Sequence, residues 1–194
     1  RAPPPPEYGS AADLREVKIV KEALRSLTQD QNRAVQYWAM GPGTESPPAI
    51  WIKKLNHISK LEKTAFPKLL EVRSVLAQTL ADACIVVWDT KYTYWTKRPY
   101  MRDSAIQAMR TEKIRPYVPT PNFPSYISGH STMSAAAATV LSHYFPERKE
   151  YFFTEAEEAM HSRLWGGIHF EVDDEIGFEV GKKVGENIIS MIRL

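Results

Sequence analysis

Apolar residues begin to recur at three- and four-residue spacing just after residue 10. Leu14, Val17, Val20, Ala23, Leu24 and Leu27 mark one face of a helix starting at Ala11. Thr28-Gln29-Asp30-Gln31 sets a hydroxyl three residues ahead of an amide, a capping-box pattern. It opens a second helix through Ala34, Val35, Tyr37 and Trp38, which Gly41-Pro42-Gly43 stops. Ser46-Pro47-Pro48 supplies a cap and first turn for a third helix carrying Ile50, Trp51, Leu55, Ile58 and Leu61. Pro67 opens a longer helix that reaches Arg98 and is ended by Pro99, which pushes the residue before it out of the helical region. The pattern then breaks. Five prolines fall within residues 99–127, predicting an irregular and functional stretch with one short helix near Ser104–Arg110.

Periodicity resumes in a helix that begins at Ser128 and runs through Ala135–Ala138 to Tyr144. Thr154 caps another, ending at Trp165, and the last spans Val172–Ile192. The longest apolar stretches, Ala81–Trp88 and Ala135–Leu141, suit buried helices. Gly177, Gly181 and Gly185 put small residues on one face of the last helix, which predicts close packing in a bundle. No segment makes a convincing strand, so the fold class is all-α, a helical bundle.

Composition narrows this picture. A chain of 194 residues is long enough for a real core, and residues 11–194 are expected to form a single helical domain. Residues 1–10, RAPPPPEYGS, are Pro-rich and predict an extended arm or linker on a longer or processed chain. A net charge of +2 gives no global basic field for nucleic acid, and no apolar run is long enough to span a membrane. Cys84 is the lone cysteine and excludes an intrachain disulfide.

Three segments carry chemistry. In the first, Lys91 and Arg98 lie seven apart, on one face if the segment is helical; two cations at a helix C-terminus also simply suit its dipole. In the second, Ser128-Gly129 opens a helix whose free N–H groups suit an anion. His130 in its first turn can pass a proton, although a plain cap with a surface histidine is equally consistent. In the third, Ser162-Arg163 precedes His169 and Asp173, which share a face if helical. The carboxylate would then fix the imidazole tautomer, and the bland alternative is an ion pair at a helix start. His57, His143 and His161 are expected at the surface or in packing. Trp38, Trp51, Trp88, Trp95 and Trp165 are expected in the core or its rim, and Asp30 is a distal carboxylate that could orient the site.

Taken in order and with their spacing, the three segments are far more specific. They resemble the signature of the type 2 phosphatidic acid phosphatase and vanadium haloperoxidase superfamily, Lys-x6-Arg-Pro, Ser-Gly-His and Ser-Arg-x5-His-x3-Asp. One departure is Ile127, where proline often precedes Ser-Gly-His. The wider pattern, with Pro47-Pro48, Asp82-Ala83, Asp89-Thr90-Lys91-Tyr92 and Gly166-Gly167, is similar to the soluble bacterial haloperoxidase-related branch.

The resemblance implies a helical bundle of the acid phosphatase and haloperoxidase type. Lys91, Arg98 and Arg163 would neutralise the equatorial oxygens of phosphate or vanadate, with Ser128 and the Gly129 N–H adding hydrogen bonds. His169 would bind the central atom, as the vanadium ligand if vanadate is bound, with Asp173 orienting it and His130 acting as acid–base opposite. Ser162 would support its local turn, and Phe123 would form a pocket wall, since chloride-oxidising relatives carry phenylalanine near this position. Three functions follow. The first is a vanadate-dependent haloperoxidase that uses hydrogen peroxide to oxidise halide. The second is a phosphatase that hydrolyses phosphate monoesters through a phosphohistidine on His169, with no cofactor. The third is an inactive oxyanion-binding domain. The resemblance also implies an extracytoplasmic location, periplasmic or secreted, and small-molecule partners only, with a homo-oligomer left open.

Overall fold

The computed structural model describes residues 1–41 and 43–192. Pro42, part of the expected helix stop, and the last two residues of the expected 11–194 domain lie outside the described residues. The helices are α1 (Ala11–Arg25), α2 (Gln29–Tyr37), α3 (Pro47–Leu61), α4 (Phe66–Tyr94), α5 (Pro99–Arg102), α6 (Ser104–Lys113), α7 (Gly129–Tyr144), α8 (Lys149–Trp165) and α9 (Glu171–Ile192). No strand occurs among the described residues, and no helix among them is long and apolar enough to cross a membrane.

Local chemistry sets most of the boundaries. Ser10 caps α1 through the Asp13 N–H. Thr28 and Gln31 form the expected reciprocal capping box on α2. Ser46 stands at the start of α3 but its side chain makes no capping bond; the two prolines in the first turn, with φ already set for a helix, do that work.

Several expectations need correction. The long helix α4 stops at Tyr94, because Trp95 adopts a left-handed cap at φ 49° and ψ 43°, so Arg98 is not on it. Pro99 therefore opens α5 rather than ending α4. The next-to-last long helix starts at Lys149 after a 3-10 turn, which leaves Thr154 inside it rather than capping it. Leu14 is exposed, because α1 packs through Asp13, Val20 and Leu24 instead. The stretch Ala81–Trp88 buries only one face. Ala83 and Val87 point inward while Ile85 is 66% exposed.

The bundle is built around α7. Ala135–Ala138, Val140 and Leu141 are buried, and the main core joins Ala135–Ala138 and Leu141 to Trp51 and Leu55 of α3, Leu76 and Leu80 of α4, Phe152 and Ala156 of α8, and Phe178 of α9. Short side chains on α7 let its neighbours approach closely, and α9 approaches closest of all. A Cβ on Gly181 would lie 2.2 Å from the Thr132 carbonyl oxygen, and one on Gly185 2.9 Å from that of Ala136. The glycine stripe is therefore a packing seam, as its spacing predicts. A second core joins Val20 and Leu24 of α1 to Val35, Ile106, Ile114 and Phe170.

The Pro-rich arm is extended and lies against the bundle. Ala2 is buried, Arg1 pairs with Asp89 at 2.7 Å, and the Tyr126 hydroxyl donates to the Pro3 carbonyl at 2.8 Å.

Candidate active site

Four pieces of chain converge at the N-terminal end of α7. Lys91 arrives on the last turn of α4 and is almost wholly buried. Its ammonium donates to the carbonyls of Pro124 and Ser125 at 2.8 and 2.7 Å. After the Trp95 turn the chain doubles back. Thr96 accepts from the backbone N–H of Tyr126 through its hydroxyl and from that of Ser125 through its carbonyl. Pro99 holds Arg98 extended, which sends its guanidinium inward. Lys91 and Arg98 thus meet through a chain reversal, and the helical-face geometry expected for them is absent.

Arg98 donates through Nε to Phe123 O at 2.9 Å, and through Nη1 to Ile168 O at 2.7 Å. The same Nη1 lies 2.9 Å from Nε2 of His169. His169 is not helical either. It sits in the loop between α8 and α9, where Gly167 takes φ +63°, while Asp173 is in the first turn of α9. The expected pairing still forms, with His169 Nδ1 3.0 Å from Asp173 Oδ2. That oxygen also accepts from Ser125 Oγ at 2.5 Å and from the Phe170 N–H at 3.1 Å. The two neighbours decide the tautomer: Nδ1–H donates to the carboxylate, and a guanidinium, which can only donate, requires a lone pair on Nε2.

Ser128 caps α7, accepts from the Ser131 N–H, and is tied to α9 by its own N–H on Asp173 O at 2.9 Å. Arg163 is buried on the last turn of α8 and donates through Nε to Ser162 Oγ at 3.0 Å. Ser162 Oγ itself donates to Ala159 O, so it supports the turn. A cavity of about 650 Å³ opens onto this end of α7, and Lys91, Gly129, His130, Arg163, His169 and Phe123 line it. Arg98 and Ser128 stand just behind that lining.

Electrostatics set this place apart. Lys91, Arg98 and Arg163 are all buried, and none reaches a carboxylate within 4.0 Å among the described residues. Desolvation pulls Lys91 well below its ordinary value and brings Arg98 and Arg163 down to about 10. His169 is held well below 6.5 by burial and then by Arg98, and His130 by burial and then by Arg163. A backbone hydrogen bond with Trp38 works the other way on His130. Burial raises Asp173, and the bonds from Ser125 and Phe170 pull it back. Arg98 Nη2 and His130 Nε2 are buried without a hydrogen-bond partner. Buried polar atoms without partners are costly, so these two mark a place where the fold alone does not satisfy its polar groups.

Three residues that the sequence reading passed over belong to this region. Ser125 holds Asp173. Asp174, buried beside it, accepts from Ser131 Oγ at 3.0 Å. Burial raises its carboxyl well above the usual range, and its Oδ2 has no partner. Arg110 donates to the carbonyls of Gly166 and Val118 at 2.8 and 2.6 Å, and so clamps the loop carrying His169 against the irregular segment. Asp30 lies elsewhere, exposed and paired with Arg33, and does not orient the site. His57 and His161 are exposed on helices. Trp38 and Trp51 are core, whereas Trp95 is 69% exposed.

The family described as the VCPO second helical-bundle domain matches residues 71–155 and 148–193. No curated protein sequence matches the chain. Among solved structures, one described as the first bacterial vanadium-dependent iodoperoxidase is 27% identical over 98% of the chain, with a TM-score of 0.85. An apo-type bacterial vanadium-dependent chloroperoxidase is 14% identical over 100% of it, with a TM-score of 0.73. A transmembrane PAP2-type phosphatidylglycerolphosphate phosphatase from Bacillus subtilis is 15% identical over 96% of it, with a TM-score of 0.67. The latter two show likeness of fold alone. The chain spans about half of each peroxidase, 52% in both cases, and 88% of the phosphatase.

Proposed function

The chain belongs to the VCPO second helical-bundle domain family, and from that premise we propose that it is a vanadate-binding, haloperoxidase-like enzyme that uses hydrogen peroxide to oxidise halide. The observation that carries the reading is the cluster at the cavity floor and just behind it, where three buried cations and two imidazoles held below 6.5 gather. Asp173 and Asp174 are buried carboxylates nearby, but none lies within 4.0 Å of a cation of the cluster among the described residues. The preference for peroxidase chemistry rests on the likeness to the iodoperoxidase along nearly the whole chain.

The residues suit a tetrahedral oxyanion. Lys91, Arg98 and Arg163 would donate to its oxygens, with Ser128 and the Gly129 N–H adding donors at the positive end of α7. His169 Nε2 would face the central atom, its lone pair made available by Asp173 on Nδ1. Arg98 Nη1 lies 2.9 Å from that Nε2. Anion binding would therefore draw Arg98 from the imidazole onto an oxygen, and its unpartnered Nη2 would gain an acceptor. Bound vanadate would supply a Lewis-acidic centre at which peroxide becomes electrophilic toward halide. His130, with a free Nε2 on the cavity, would take and return the protons of that exchange.

One specific observation favours a second reading. An unprotonated, carboxylate-oriented His169 Nε2 is also a nucleophile for phosphorus. It would displace the ester oxygen, which takes a proton from His130; the same His130 would then deprotonate the water that cleaves the P–N bond. Purified protein assayed with and without orthovanadate separates the two. Peroxide-dependent halogenation of a dye only with vanadate supports the first reading. Ester hydrolysis that vanadate inhibits supports the second, and neither activity would leave an oxyanion-binding domain.

A further inference from the structure

The junction between α3 and α4 carries a second, polar cavity that neither candidate chemistry uses. Its volume is about 560 Å³, and Ser59, Lys60, Lys63, Thr64, Leu69 and Arg73 are among the residues that line it. Leu69 and Arg73 stand about 30 Å along α4 from Lys91, at 1.5 Å of rise per residue. The two cavities share no lining residue.

The backbone fixes this junction. At the end of α3 the Thr64 N–H donates to the Ser59 carbonyl at 2.9 Å, and Lys63 takes the left-handed φ of 49°. No side chain caps the start of α4, so the positive end of a 29-residue helix is left open beside Thr64 and Leu69. Lys60, Lys63 and Arg73 add three cations, and none of them has a carboxylate within 4.0 Å among the described residues. The acids closest in sequence are engaged elsewhere, Glu62 with Arg148 at 2.7 Å and Glu71 with Lys68 at 3.1 Å. No Asp or Glu lines the cavity.

Exposed cations near a helix start are common and are screened by solvent, so they do not by themselves make a site. Ser59 adds the decisive feature. It is only 5% exposed, it lines the cavity, and its Oγ has no hydrogen-bond partner. A helical hydroxyl can return its proton to the carbonyl four residues back, as Thr79 does to Val75 at 2.7 Å. Ser59 does not, and a buried hydroxyl left unpaired costs stability. We infer that this cavity is a second anion site, which binds the phosphate group of a polar monoester. The phosphate oxygens accept from Ser59 Oγ and from the three cations at the open end of α4. Four oxygens fill on the order of 120 Å³ at ~30 Å³ each, which leaves room for the substituent beside the polar side chains of Asn56 and Thr64. The inference stands whichever reaction the first site performs.

Nuclear magnetic resonance on the intact, isotope-labelled chain separates this junction from the oxyanion site. Inorganic phosphate and glycerol 3-phosphate are titrated at constant ionic strength, with chloride as the matched control. We expect the amides of Lys60, Lys63 and Thr64 to shift saturably with both phosphates and not with chloride. Ser59→Ala should weaken that binding at least about fivefold, and Arg73→Gln likewise, while the responses of Gly129 and His130 stay as in the wild type. Ser59→Ala removes an unpaired buried hydroxyl, so it should fold at least as well as the wild type. No saturable shift at the junction, an equal response to chloride, or wild-type affinity in Ser59→Ala overturns the inference. Sedimentation with phosphatidylcholine vesicles, with and without phosphatidic acid, identifies the source of the phosphate. Retention of the wild type but not of Ser59→Ala on the acidic vesicles supports a lipid headgroup, and saturation by glycerol 3-phosphate without retention supports a free monoester.

Discussion

The two halves of α7 face opposite demands. From Ala135 to Leu141 the helix is apolar, and α3, α4, α8 and α9 close on it so tightly that α9 accommodates only glycine at its crossings. From Ser128 to Thr132 it is polar, with Ser128, Ser131 and Thr132 buried, and none of the buried cations around it has a carboxylate within 4.0 Å among the described residues. The apolar half holds the bundle together, while the polar half buries charge at a cost to the fold that an anion, on the proposed reading, would offset. A site of this kind can bind strongly because its donors are already desolvated and oriented, with little left to reorganise.

The sharpest break in that comparison comes from His169→Ala. It should abolish either candidate activity, a loss of more than about 10³-fold in turnover, because the group facing the central atom is gone. Steady-state assays check this, and residual turnover within tenfold of wild type removes His169 from its assigned role. Next, Gly181→Val forces a side chain into the Thr132 carbonyl and should cost about 3 kcal/mol or more in urea unfolding. A loss below ~1 kcal/mol would mean that the seam relaxes.

Arg163→Met should separate the two halves. Anion affinity should fall by more than about tenfold, a change of ~1.4 kcal/mol, while the empty protein becomes no less stable, because an unpaired buried charge is removed. Sulfate titration and urea unfolding read the two effects separately, and a less stable variant would show that Arg163 supports the fold. The smallest effect is a proton count. Burial first, and then the charges of Arg98, Arg163 and Lys91, hold both imidazoles below 6.5. A bound anion offsets those charges, so the imidazole pKa values rise and binding takes up protons. Affinity for sulfate, which does not itself titrate here, should then increase as pH falls from about 7.5 to 6, by at most about tenfold per unit for each proton taken up. Calorimetry in buffers of differing ionisation enthalpy measures the uptake, and proton release would contradict it.

The chain's helices were legible because their caps and periodicity are local. The capping box at Thr28, the Ser128 cap and the glycine stripe are each contained within a few residues. Residues whose placement depends on distant partners were not legible. Lys91 and Arg98 carry a recognisable spacing, but a left-handed Trp95 brings them together, and nothing in an aromatic, β-branched stretch announces that turn. His169 and Asp173 pair although His169 precedes the helix, because the spacing of a short loop imitates one helical turn. Ser125 and Asp174 were missed for want of any pattern around a lone hydroxyl or the second of two adjacent acids. Arg110 left a usable trace: it lies four residues after the buried Ile106, an arginine on the inward face of α6.

The glycine seam has a reach beyond stability. His130 rides on the first turn of α7 and His169 on the loop that leads into α9. The spacing of those two helices therefore gauges the gap between the imidazoles, much as a shim sets the jaws of a tool. Thickening the shim by one methyl at Gly185, two turns beyond Gly177, would spread the jaws, and about 1 Å of misplacement can cost on the order of a hundredfold in rate. A search for inactive variants should accordingly return substitutions along α9 that never touch the cavity.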